Sequence, residues 1–371
     1  MEKVVKKREA NIELLRIIAM LMVVTLHCVG NGKLLGNESI STGNLILIRF
    51  LDSFSLTANS IFIIITGYYS INKKFDLKKV LNLWGKTILY ASIIFVICKI
   101  QGGEYSIFNS LFPVLSGQYW FISSYIALYF LIPIINIILN KLNQKQLKYL
   151  LIISIILFGI IRGLFNPAGI FNSALIHMVI IYILGAYIRK YVNIRDKQKY
   201  FIKYILFAVI FTVIYIILNT LESIFRSNTD LFIIIYRIIA LYRDFMNILL
   251  IAMTVLIFMK FKTISIKSNL LSKIITFISP SVFSIYIIHQ NVNIRDTMWL
   301  QFWMMNYANS WMMIPYIILM VISVFTVCLL IDLIRRAIYY GIKKIPIVIK
   351  FINKINEKIE IINNKVNSYL I

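Results

Sequence analysis

The stretch Asn11-Ile-Glu13-Leu-Leu-Arg16-Ile-Ile-Ala-Met-Leu-Met-Val-Val-Thr-Leu-His27 puts two charges and an imidazole into a run otherwise apolar enough to cross a bilayer. A charge held at mid-membrane costs about 2.5–3.5 kcal/mol on insertion scales, so such groups usually face a partner or a cavity. Glu13 and Arg16 are three residues apart and pair on one helix face. Arg16 and His27 are eleven apart, which at about 100° per residue returns to within about 20° of the same direction. The same eleven residues separate them by about 16 Å along the axis. One face thus presents a cation at one depth and a proton-transfer group at another. The alternative reading is an arginine snorkelling from a helix end and a histidine satisfied by a neighbour. A cleaved leader is excluded, because the run carries these polar groups and no small-residue cleavage site follows it.

The rest of the chain repeats the apolar theme. Of 371 residues, 60% are hydrophobic and 15% charged, with a mean hydropathy of +0.83; soluble domains carry about 25% charged residues. Ten stretches are expected to span: 12–31, 45–71, 80–100, 118–140, 149–166, 174–190, 202–220, 231–259, 275–292 and 308–331. The fold class is therefore all-α polytopic, with a transmembrane domain over residues 1–340 and a basic amphipathic tail over 341–371. With the N-terminus inside, 29 of the 39 Lys and Arg residues fall in inner segments and four (Lys33, Arg49, Arg226, Arg295) in outer ones. That asymmetry places both termini in the cytoplasm. It also accounts for the net charge of +24 through anionic lipid, with no need for a nucleic-acid partner. The expected location is the bacterial cytoplasmic membrane. Ile352, Ile355, Ile359, Ile362 and Val366 recur at helical spacing, so the tail reads as an amphipathic helix on the inner surface.

Further polar groups lie within the expected spans. The second holds Arg49, Asp52, Asn59, Ser60 and Thr66-Gly67-Tyr68; the eighth holds Arg237, Arg243 and Asp244. They read either as a polar cavity or as interhelical ion pairs. The ninth runs Ser279-Pro280-Ser281-Val-Phe-Ser284-Ile-Tyr286-Ile-Ile-His289-Gln290-Asn291 with Arg295 beyond it, an interrupted polar helix of the kind that lines a site. Tyr286 and His289 share a face of it. The only three histidines, His27, His177 and His289, match no zinc spacing and have no carboxylate cluster, so no metal and no resident cofactor is expected. Cys28, Cys98 and Cys328 sit in apolar runs as buried thiols. Trp120, Trp299, Trp303 and Trp311 fall near outer span ends, where an interfacial belt accounts for them. There is no phosphate-cradling glycine loop and no nucleophile elbow, and Gly67 and Gly185 serve packing.

In sequence order these features resemble the membrane-bound acyltransferase-3 family, whose members O-acylate surface sugars. Arg16 and His27 match its Arg–ten residues–His hallmark, and Glu13-Leu-Leu-Arg16 its acidic-x-x-Arg opening. Phe62-Ile-Ile-Ile-Thr66-Gly67-Tyr68 is similar to its second-span pattern. Tyr119-Trp120-Phe121 with Leu131-Ile-Pro133, Ile183-Leu-Gly185-Ala-Tyr187 and Ser284-Ile-Tyr286-Ile-Ile-His289 match further blocks. One departure stands out. Many members carry Arg-x-x-Arg at the start of the third span, where this chain has Lys78-Lys79-Val-Leu-Asn82-Leu-Trp84-Gly-Lys86. Lysine binds phosphate as a point charge, without the guanidinium fork.

The resemblance implies transfer of an acyl group, most simply acetyl, from cytoplasmic acetyl-CoA or another acyl-CoA to a hydroxyl of a capsular, exopolysaccharide or lipid-linked glycan. His27 is then the base or a transient acyl carrier, and Arg16, oriented by Glu13, contacts the donor's phosphates or thioester carbonyl. Lys78, Lys79 and Lys86 attract the donor, while Tyr286, His289, Arg295 and Trp120 form the acceptor side. Membrane lipids and glycan-assembly proteins are the remaining expected partners. Ten spans with interior charges also suit a transporter or flippase of a lipid-linked glycan, although no repeat symmetry between halves is visible.

Overall fold

In the computed structural model, residues 8–35, 37, 39–103, 106–161, 174–194, 199–302 and 304–370 are described. The helices are α1 Ala10–Asn31, α2 Thr42–Ser55, α3 Ala58–Ser70, α4 Leu77–Ile100, α5 Ile107–Leu111, α6 Trp120–Lys141, α7 Gln144–Ile155, α8 Ala174–Tyr191, α9 Lys199–Ile224, α10 Thr229–Tyr242, α11 Ile248–Thr263, α12 Asn269–Ile278, α13 Val282–His289, α14 Arg295–Gln301, α15 Met313–Ile342 and α16 Pro346–Tyr369. No strand occurs among the described residues. Among the described residues, eight helical stretches are long and apolar enough to cross a membrane, counting α2 with α3 and α12 with α13 as single runs. The chain is an all-α polytopic membrane protein.

Two of the ten expected spans take a different form. The fifth is helical as α7, loosens into a π-helical turn over Ile156–Ile161, and its remaining residues, 162–166, lie outside those described, as does Trp303. The eighth divides into α10 and α11 across residues 243–247. The cause of that break is visible. Arg243 leaves the helix to bond the buried Asp52 carboxylate of α2 at 2.7 Å, and its guanidinium lies over the Tyr215 ring. Asn247 then restarts the helix as the N-cap of α11, accepting from the Leu249 amide. Asp52 of the second span and Arg243 of the eighth therefore meet as an interhelical ion pair.

Helix α1 occupies the middle of the bundle, packed against α2, α3, α11, α12, α13, α14 and α15. Outward faces of α4, α6, α9 and α15 carry exposed Ile, Leu and Val at helical spacing, among them Leu89, Ile93, Val96 and Ile100. Such faces are soluble only in hydrocarbon. The closest approach is between α3 and α8. A Cβ on Gly67 would run into the Tyr182 backbone, and one on Gly185 into the backbone of Ile64 and Tyr68. These two glycines are the small-residue contact that lets transmembrane backbones touch. Pro280 interrupts the run from α12 to α13 with a 3₁₀ turn over Ser279–Ser281. Arg336 of α15 donates to the Phe277 carbonyl at 2.7 Å, supplying a partner beside the interruption.

Two tryptophan expectations separate. Trp311 is 83% exposed, as a belt residue should be, but Trp299 is 1% exposed and packs against Phe302 inside the bundle. All three cysteines are buried, and none forms a disulfide. The tail forms one helix that docks on the start of α4. Asn367 accepts from the Phe75 amide and donates to its carbonyl, and Asn363 accepts from the Leu77 amide. Each such bond contributes about 0.5–1.5 kcal/mol. Replacing both asparagines by leucine is expected to free the tail for limited proteolysis after residue 345 while the bundle stays intact; unchanged protection would contradict this docking.

Candidate active site

The ninth-span polar residues and the first-span histidine converge. His27 lies one turn before the end of α1, and His289 closes α13. His27 Nδ1 and His289 Nε2 are 2.9 Å apart, and His289 Nδ1 is 2.6 Å from the Ile285 carbonyl. A carbonyl oxygen only accepts, so His289 Nδ1 carries the hydrogen. In a neutral His289 the Nε2 atom is then a bare acceptor, and His27 Nδ1 must donate to it. A neutral His27 held this way has its lone pair on Nε2. His289 is fully buried, whereas His27 keeps accessible surface amid buried Val23, Val24, Cys28 and Val29.

Aromatic side chains wall this centre. Tyr286 lies 6.3 Å from His27 and 6.2 Å from His289 between ring centroids, and Phe121 and Tyr119 pack on Tyr286. Tyr119, buried completely, donates to the Ile287 carbonyl and accepts from Asn291, which ties α6 to the end of α13. The Tyr286 hydroxyl, the Gln118 amide, Gln290 Oε1 and Asn293 Nδ2 are buried without a hydrogen-bond partner. Buried polar groups ordinarily have partners, so the orphans at Tyr286, Gln290 and Asn293, and at Gln118 next to Tyr119, mark polar capacity near this centre that the protein itself leaves unused. Arg295 stands near enough for its charge to act on both His27 and Tyr286, while its Nε bonds the adjacent Asp296. Trp120 stacks on Phe245 and is 38% exposed, so it flanks the centre without touching either histidine ring.

The third histidine is separate. His177 Nε2 meets Ser60 Oγ at 3.1 Å and its Nδ1 meets the Met246 sulfur. No group of three His, Cys, Asp or Glu among the described residues is arranged to hold a metal.

At the other end of α1, Arg16 bonds Glu13 at 2.8 Å, as their spacing requires. Arg16 also bears on Tyr69 at the end of α3. Tyr69 belongs to a polar cluster in which Lys262 bonds both its hydroxyl and the Glu9 carboxylate, and Arg189 donates to the Tyr68 hydroxyl. Burial pushes the Glu9 carboxyl up, but bonds from Lys262 and Tyr69 and the charges of Lys262 and Arg189 outweigh it and hold it below its usual value.

The three α4 lysines are engaged elsewhere. Lys78 donates to Asn356 of the tail at 2.8 Å, and Lys79 lies 3.9 Å from Asp76 and over the Tyr129 ring. Lys86 faces the charges of Asp332, Arg335 and Arg336. Asp332 is fully buried and accepts from Tyr90 at 2.6 Å and from Arg335 at 2.8 Å. Sequence reading missed this carboxylate, because the expected span ended at 331; the Asp332–Arg335 spacing of three was the available signal.

A family model described as an acyltransferase domain matches residues 9–333. No curated protein and no solved structure matches the chain.

Proposed function

The chain belongs to the membrane-bound acyltransferase-3 family, and from that premise we propose that it moves an acyl group, most simply acetyl, from acyl-CoA in the cytoplasm to a hydroxyl of a cell-surface glycan. The carrying observation is the Ile285–His289–His27 chain, which leaves the lone pair of a neutral His27 on Nε2. In this mechanism Nε2 takes the proton from an acceptor hydroxyl as its oxygen forms a bond to the thioester carbonyl. The resulting oxyanion collapses, the carbon–sulfur bond breaks, and the CoA thiolate recovers the proton from His27. His289 holds the ring and accepts from Nδ1–H throughout, which steadies the imidazolium stage. Arg295 and the Tyr286 hydroxyl are the positive charge and the donor nearest the developing oxyanion.

Of the two roles open to Arg16, the helix rise selects one. About 16 Å along α1 separates it from His27, so it serves the donor's phosphate end and not the reacting carbonyl. The basic end of the bundle faces the cytoplasm on this reading, and the His27 end faces outward toward the acceptor. Family membership favours group transfer over glycan transport. The acceptor class is tested by mass: surface polysaccharide from cells with the protein is expected to carry an acyl increment that cells lacking it do not. Identical masses from both would contradict the glycan assignment.

A further inference from the structure

Lys78 bonds the tail, Lys79 lies 3.9 Å from Asp76 and Lys86 feels the charge of Asp332, and a second basic recess lies open beside Tyr68 and Lys262. A pocket of about 450 Å³ sits where α3, α8 and α11 end, lined by Tyr68, Lys190, Tyr191, Val192, Asn193, Ile194 and Lys262. Arg189 stands beside it, 5.0 Å above the Tyr68 ring and bonded to the Tyr68 hydroxyl, with Lys262 5.1 Å from that ring. Among the described residues, three cations thus stand at the pocket beside one carboxylate, Glu9, which Lys262 already engages. The C-terminal end of α8 contributes partial negative charge, and Arg189 and Lys190 in its last turn more than offset it. Donors remain available. Lys190 spends one N–H on the Leu139 carbonyl, out of three, and Arg189 one on Tyr68, out of five. The guanidinium absent from the start of α4 is present here, with the fork geometry that grips phosphate.

The position fits as well. Tyr69 adjoins the pocket-lining Tyr68, bonds Lys262, and feels the charge of Arg16. Arg16 in turn begins the α1 face that leads about 16 Å to His27. A molecule with phosphates at one end and a reactive group on a long arm matches that separation. We propose that this pocket binds the phosphate-bearing nucleotide end of the acyl donor, with Arg189, Lys190 and Lys262 as its phosphate contacts. This rests on the acyl-CoA reading above. Anionic lipid headgroups share the phosphate chemistry, and the test separates the two sources.

The full chain is reconstituted in nanodiscs of zwitterionic lipid, and binding of acetyl-CoA and of 3′-phospho-ADP is measured. Arg189→Gln and Lys190→Gln are expected to weaken both ligands by about tenfold or more, the range of a charge-assisted bond. They are expected to raise KM for acetyl-CoA with little change in kcat, and to leave S-acetylpantetheine kinetics unaltered. Lys350→Gln, at an exposed lysine of the tail, is expected to match wild type. In the unmodified protein, 3′-phospho-ADP is expected to protect Lys190 from an amine-reactive label, a readout that needs no variant to fold. Wild-type affinity in both pocket variants, or absence of that protection where acetyl-CoA binds, overturns the pocket assignment and leaves the donor reading intact. Lys190 protection by phosphatidylglycerol but not by 3′-phospho-ADP overturns it in favour of lipid. A wild-type protein that binds no acyl-CoA at all removes the donor reading itself.

Discussion

His27→Ala is expected to lower acyl transfer by a factor of about 10²–10⁴, the usual contribution of a positioned general base. The bundle should remain folded, since His27 is only part-buried and its ring bonds one neighbour, His289. Donor affinity should be unchanged, because the proposed phosphate contacts lie at the far end of α1. His289→Ala is expected to cost less, as in the proposed mechanism His289 orients the base through its bond to His27 Nδ1. It should also disturb the pH dependence of transfer, a change that loss of packing alone would not produce. Purified proteins assayed for label moving from acyl-CoA to acceptor check both. Full activity in His27→Ala would refute its role as base, and wild-type pH behaviour in His289→Ala would refute the relay.

The second large effect concerns stability. Gly67→Ala is expected to destabilise the bundle by about 3 kcal/mol or more, at or beyond the upper end of overpacking costs. The added carbon meets the Tyr182 backbone, which has no rotamer into which to retreat. Gly185→Ala should behave alike, because its added carbon meets the Ile64 and Tyr68 backbone. Gly30→Ala and Gly85→Ala, where nothing lies within 4 Å of the added carbon, are matched controls expected to be near neutral. Thermal unfolding in detergent measures the difference. A Gly67→Ala protein as stable as Gly85→Ala would show that α3 and α8 do not approach as described.

What the sequence disclosed was local. The Glu13–Arg16 pair, the shared face of Arg16 and His27, the break at Pro280 and the burial of three thiols all follow from helix geometry or composition. The packing role of Gly67 and Gly185 was legible too, though their meeting was not. What remained hidden was non-local. His27 and His289 are 262 residues apart, and no periodicity announces their bond, so His289 reads from sequence as an acceptor contact instead of a partner to the base. The α4 lysines look free for a donor until Asn356 of the tail is seen to hold Lys78, a contact 278 positions away. Trp299 looks interfacial because position along a span says nothing of which neighbours enclose it. Arg243 looks like a burden on one helix until Asp52, 191 residues earlier, is found beneath it.

Three histidines in the whole chain make the deciding observation tractable. Nitrogen-15 magnetic resonance of histidine-labelled protein in nanodiscs, with His177→Gln used for assignment, reads which ring nitrogen carries hydrogen. The expected spectrum has a neutral His27 protonated at Nδ1 and bare at Nε2, coupled to a His289 protonated at Nδ1. A His27 carrying its hydrogen on Nε2 would leave no lone pair facing the acceptor and would contradict its role as the base.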